Sequence, residues 1–206
     1  MKQREEKAPA LKTTIAIRVA FISILAAMAI GGNFALAVLP NVELSSVMVF
    51  LSGFLFGSFM GAFVGLISMT IYQVWNPWGA FIPPIGLAVI ACTMFTGIIG
   101  GFLGQSLRNR KNSDRRWFIL PALFGIQTTL LFDLVTNFVY SLSFGIPFSI
   151  ALITGLPFTF IHIISNALLF GILTHPVSDA VNKLQSELLN PNQSFATKTN
   201  TSNYPT

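Results

Sequence analysis

The chain has 206 residues, of which 53% are hydrophobic and only 9% charged, against about 25% charged residues in an ordinary soluble domain. From Val19 to Leu107 the only formally charged side chain is Glu43, so a soluble fold would have almost nothing polar with which to cover its core. Soluble globular, disordered and nucleic-acid-binding classes are excluded despite the net charge of +5, and the composition is that of a multi-pass, all-α integral membrane protein of the cell membrane.

Taken in chain order, residues 1–14 read as a cytoplasmic N-terminal segment, carrying Lys2, Arg4, Lys7 and Lys12 against Glu5 and Glu6. A first apolar run follows at 15–39. Ala35-Leu36-Ala37 would pass as a small-x-small cleavage site, but the run is long enough to span and longer than the apolar region of a signal peptide. It is expected to stay as the first helix. The short loop 40–44 holds Pro40-Asn41-Val42-Glu43.

The next apolar block, 45–74, fits one long tilted helix or two short ones, and parity decides between them. Beyond it lie a loop at 75–82, a span at 83–107, the basic segment 108–116 with five Lys or Arg against Asp114, and spans at 117–142 and 149–174. Basic loops stay on the cytoplasmic side. One helix over 45–74 would put the basic segment opposite the basic N-terminus, whereas two helices, 45–57 and 58–74, put both on the same side. The expectation is therefore six transmembrane helices within a membrane domain at 15–176, both termini cytoplasmic, and a polar, irregular cytoplasmic tail at 177–206. Gly53, Gly57, Gly61 and Gly65 recur every fourth residue, a small-residue stripe that lets helices approach closely in lipid. It reads as a packing seam or as a sliding surface.

Polar groups inside spans are costly and ask for a reason. The fifth span carries Gln127, Asp133, Asn137 and Tyr140, the last three at i, i+4 and i+7 on one face; the sixth carries His162 and Asn166 at i, i+4. These faces could share a cavity opening to the outside or form a buried helix clamp with Asp133 paired to His162. In the outer loops, Asn41 and Glu43 join Tyr72, Gln73, Trp75, Asn76 and Trp78. Aromatic planes beside amides suit a flat, hydrogen-bonding ligand, although Trp75, Trp78 and Trp117 equally suit anchors at the headgroup level.

Other chemistries find no support. There is no Gly-Lys dipeptide and hence no phosphate-binding P-loop, no His-Glu-x-x-His motif, and no serine-nucleophile loop to go with His162. A single cysteine, Cys92, rules out an intrachain disulfide or cysteine metal cluster, and Asp133 with His162 alone would under-ligand a metal. The chain is not expected to be an enzyme or to hold a cofactor.

The ordered set PNVE, LSGFLFGSFMGAFVGLIS, NPWG, FDLVTN and GLPFTFIHIISNALLFGIL, over roughly residues 13–176, resembles the substrate-binding S components of energy-coupling factor (ECF) vitamin transporters. The resemblance implies a subunit that captures a small vitamin or cofactor precursor from outside and docks on a transmembrane T component driven by two cytoplasmic ATPases. It implies a site near the outer surface, built by the last three helices and capped by the first and third outer loops. It implies partner docking through small residues four apart on the first helix, where Ala16 with Ala20 and Ser23 with Ala27 both fit. Cobalamin, riboflavin and queuosine precursors all remain open as substrates. The alternative is a stand-alone secondary transporter in which Asp133 and His162 relay protons.

Overall fold

The computed structural model describes residues 15–77, 79–107 and 114–189, so the N-terminal segment, Trp78, most of the basic loop and the last residues of the chain fall outside it. The described residues form six α-helices: α1 (Ile15–Ala35), α2 (Leu44–Phe56), α3 (Ser58–Val74), α4 (Pro83–Leu107), α5 (Asp114–Phe144) and α6 (Phe148–Leu189). Four of them, α1, α4, α5 and α6, are long and apolar enough to cross a membrane. The other two are shorter apolar helices of 13 and 17 residues, about 20 and 26 Å at the helical rise. A belt of exposed side chains, among them Ile24, Phe59, Phe102, Leu134, Ile153 and Phe160, gives the bundle an apolar exterior suited to lipid.

The break between α2 and α3 is a single residue. Gly57 sits at φ +98°, a region that a side chain disfavours, and its amide still donates to the Gly53 carbonyl at 2.7 Å. The two helices fold back so tightly that a Cβ on Gly61 would fall 2.6 Å from the Gly53 Cα. Arg18 of α1 closes the end of α2 by donating to the Phe56 carbonyl at 3.1 Å, a cation at the negative end of a helix dipole. At the other end of α2, Asn33 of α1 accepts the Ser45 amide at 3.0 Å. It does the capping that Glu43, at the N-cap position, does not.

The glycine stripe of α2 and α3 meets a second one on α4. A Cβ on Gly53 or Gly61 would collide with the Gly97 carbonyl, one on Gly100 with that of Phe50, and one on Gly104 with that of Phe54. Gly53, Gly61 and Gly65 are buried by this contact. The stripe is thus an internal seam against α4, and the sliding-surface reading does not hold. Ser58 adds a hydrogen bond to the Ile98 carbonyl at 3.0 Å.

Two helix ends differ from expectation. The first helix stops at Ala35 instead of running to 39, and residues 36–43 turn back over the bundle. At the far end, α6 runs on through 177–189, where an irregular tail was expected. The segment is amphipathic: Ser178 and Val181 are buried while Asp179, Lys183 and Glu187 point outward, and Val181 joins the core cluster with Phe21, Phe54 and Leu107. That apolar face, repeating at helical spacing, gives the polar stretch a surface to pack on. Residues 190–206 of the expected tail lie outside the described residues, as do residues 1–14.

Candidate functional site

A cavity of about 520 Å³ lies where the 36–43 loop, the end of α3, and the middles of α5 and α6 converge. Its size falls in the range of about 300–1,000 Å³ typical of small-molecule sites. The helical rise places Asp133 about 16 Å from the α5 end at Phe144, and His162 about 21 Å from the α6 start at Phe148. Both side chains therefore reach the cavity from similar depth.

The loop over the cavity is tied to α6 at two levels. Asn41, at φ +58°, donates through Nδ2 to the Phe158 carbonyl at 3.3 Å, while its own carbonyl accepts from Ser165 Oγ at 3.0 Å. Asparagine tolerates this left-handed backbone better than most residues. The adjoining Glu43 accepts from Ser46 Oγ at 3.3 Å and also lines the cavity.

At the floor, His162 Nδ1 lies 2.9 Å from Asp133 Oδ1, with the imidazole edge-on to Phe132 at 5.5 Å between ring centroids. The pair is both a helix clamp and a cavity wall, so the two readings of these residues coincide. Asp133 Oδ2 and His162 Nε2 are buried without a hydrogen-bond partner. Such atoms cost about 1–3 kcal/mol each when no partner is present. Beside them Asn137 donates to the Asp133 carbonyl at 2.7 Å, and Gly155 leaves room for it: a Cβ there would meet Asn137 Oδ1 at 2.9 Å.

Of the residues expected at a site, Asn41, Glu43, Tyr72, Gln73, Asn76, Asp133, Asn137 and His162 line this cavity. Trp75, Gln127, Tyr140 and Asn166 are not in its lining. Trp75 is exposed on the outside of the bundle, and so is Gln127. Tyr140 shares the angular face of Asp133 but lies about 10 Å along the axis from it, past the rim, where it packs on Phe144. Asn166 is one turn below His162, buried and donating to Thr129 Oγ1 at 2.8 Å. Trp78 lies outside the described residues. Sequence reasoning missed Asn33, Met69, Thr136, Phe158 and Thr159 in the lining. Thr159 precedes His162 by three residues and Thr136 follows Asp133 by three, so helical spacing could have found both; nothing local marks Met69 or Phe158. Among the described residues no three His, Cys, Asp or Glu side chains come together as a metal site.

An all-helical, lipid-facing bundle with a polar-floored cavity roofed by a loop belongs to the class of membrane proteins built to hold a small molecule. Residues 13–182 match the family described as ECF-type riboflavin transporter, S component. The chain belongs to that family, which makes it a membrane-embedded, substrate-binding subunit of a transporter and not an enzyme. No curated protein and no solved structure matches it.

Proposed function

We propose that this chain captures riboflavin, or a vitamin of the same flat-ring type, from outside the cell and hands it inward as part of an ATP-driven importer. The observation that carries the reading is the cavity of about 520 Å³ lined by the paired Asp133 and His162, in a chain of the riboflavin S-component family. In this reading all six helices lie in the membrane with both termini cytoplasmic, and the 36–43 and 75–82 loops face outward. Asn41, Glu43, Tyr72, Gln73, Asn76, Asp133, Asn137 and His162 contact the vitamin.

Transport energy comes from partners, a T component and two cytoplasmic ATPases. Ala16, Ala20, Ser23 and Ala27 are all exposed on α1, which supports that face as the docking surface for the T component. Arg18 does not obstruct it, because its guanidinium is turned to the end of α2.

Flavin fluorescence quenching on the purified chain tests substrate capture. Riboflavin is expected to bind with micromolar affinity or better, and a folded protein that ignores riboflavin and every other vitamin in a panel would sink the reading. Proteoliposomes separate the two transport modes. Uptake driven by a pH gradient, without ATP or partners, would instead support proton relay through Asp133 and His162.

A further inference from the structure

The core face of α6 does not end where the core ends. Phe170, Leu173, Val177 and Val181 follow one another at spacings of three and four, which keeps them on one side of the helix. Phe170 and Val181 are buried in the core cluster, and Leu173 and Val177 pack against it. The same spacing continues to Leu184 and Leu188, and there the cover stops. Those two leucines are 48% and 58% exposed, one and two turns past Val181. Asp179, Lys183 and Glu187 occupy the other side, so the helix stays amphipathic to its end while its apolar side is bare.

Lipid is a poor cover for this stripe. α6 starts at Phe148, at the outer surface in the proposed topology, and the helical rise puts Leu184 about 54 Å and Leu188 about 60 Å from that start. A bilayer with its headgroups is about 40–45 Å thick, and a tilt of about 20° shortens the reach by only a few ångströms. A helix laid on the inner surface would carry Lys or Arg along its polar face, whereas this one has Lys183 against Asp179 and Glu187. A second copy of the chain fits no better. Two half-exposed leucines offer a small fraction of the about 1,000 Å² that an independent interface needs. The occupant must therefore be a cytoplasmic protein surface already held to the chain by other contacts.

We infer that Leu184 and Leu188 are the cytoplasmic end of the T-component interface, covered by an apolar helix face of that partner. The inference rests on the partnered-importer reading, in which the T component is held at α1, and adds to it a second contact on α6. Phe21 of α1 lies in the same cluster as Val181, so the bare stripe runs out of the core that α1 and α6 share.

The double variant Leu184→Glu with Leu188→Glu tests this in the full chain, purified in detergent alone and after co-expression with the T component. For the chain alone, riboflavin affinity should stay within about threefold of the parent. Its melting temperature should not fall, because both side chains are exposed. Retention of the T component should drop about tenfold or more, the loss expected when charges replace two apolar side chains buried on docking. ATP-driven uptake by the full complex should drop with it. Asn182→Glu, which puts a charge on the other side of the same helix, should leave retention unchanged. Retention undiminished in the double variant, or diminished equally by Asn182→Glu, would overturn the inference. So would a lower melting temperature of the chain alone, which would mean that the chain's own residues cover the stripe. A dimer of the purified parent that the double variant splits would assign the stripe to a second copy and overturn it too. In each of these cases vitamin capture stands. A parent chain that never retains a T component removes the partnered reading and the inference together.

Discussion

Between α2, α3 and α4 the helices touch backbone to backbone, whereas α5 and α6 meet through polar side chains. In the first region Gly53, Gly61, Gly97, Gly100, Gly101 and Gly104 bring backbone atoms together with no room for a Cβ, and Gly65 packs nearly as tightly. In the second, the Asp133–His162 and Thr129–Asn166 bonds cross the interface at 2.9 and 2.8 Å, and unpartnered polar atoms remain beside them. Lipid supplies no hydrophobic force to hold helices together, so van der Waals fit and hydrogen bonds do that work. The glycine seam uses the first and leaves nothing over for a ligand. The α5–α6 face uses the second and keeps spare hydrogen-bonding capacity, which is what a binding site requires.

The contrast breaks first at the seam. Gly97→Leu would drive a side chain into the backbone of Gly61 and Ala62 and is expected to cost about 3–5 kcal/mol, at the severe end for a single substitution. Thermal unfolding in detergent would show it as a collapse of the transition together with the loss of all ligand binding. A variant as stable as the parent would show that α3 and α4 are not held together by this backbone contact.

On the other side, Thr129→Val leaves Asn166 Nδ2 buried without its acceptor, at a cost of about 1–3 kcal/mol. Its effect should fall on thermal stability, with riboflavin affinity changed little, because neither residue lines the cavity. A large affinity loss at unchanged stability would move the floor of the site one turn deeper than drawn here. Asn41→Ala removes the hydrogen bond to the Phe158 carbonyl and places alanine at positive φ, together worth about 1–2 kcal/mol. Stopped-flow fluorescence should read this as faster ligand release, about 5- to 30-fold, with the melting temperature little altered.

The smallest effect is expected at Gln127→Ala. Its side chain is exposed and away from the cavity, so both affinity and stability should stay within about 0.5 kcal/mol of the parent. A clear loss of vitamin binding there would show that a polar residue in the fifth span serves the site from outside the cavity described.

Much of this is legible in the sequence. The scarcity of charge marked the membrane, and the apolar runs located all six helices to within a few residues at most ends. Parity of the basic loops split 45–74 into two, where Gly57 does separate α2 from α3. Helical periodicity also put Asp133 and Asn137 on one face, since residues four apart on one helix share a face, and His162 of α6 lines the same cavity. Periodicity also grouped Tyr140 and Asn166 with these, and both lie outside the cavity lining. It fixes the angle around a helix but says nothing of where a neighbouring loop roofs a cavity, so residues one or two turns above and below were grouped with those inside it. It also missed the helical extension at 177–189, because a polar amphipathic stretch looks like a tail until there is a surface for Val181 to pack on.

By itself, then, the sequence determined solvent, helix count and the polar faces, because these follow from local composition and spacing. Tertiary structure alone decided that the glycine stripe is an internal seam, since only the facing glycines of α4 turn a repeat into a contact. It alone decided that the first loop reaches back over α6 through Asn41. And it alone showed that Asp133 and His162 hold each other while each keeps one atom free. Those outcomes depend on residues 29 to 124 positions apart, and pairings at such separations are set by how whole helices pack rather than by any local pattern.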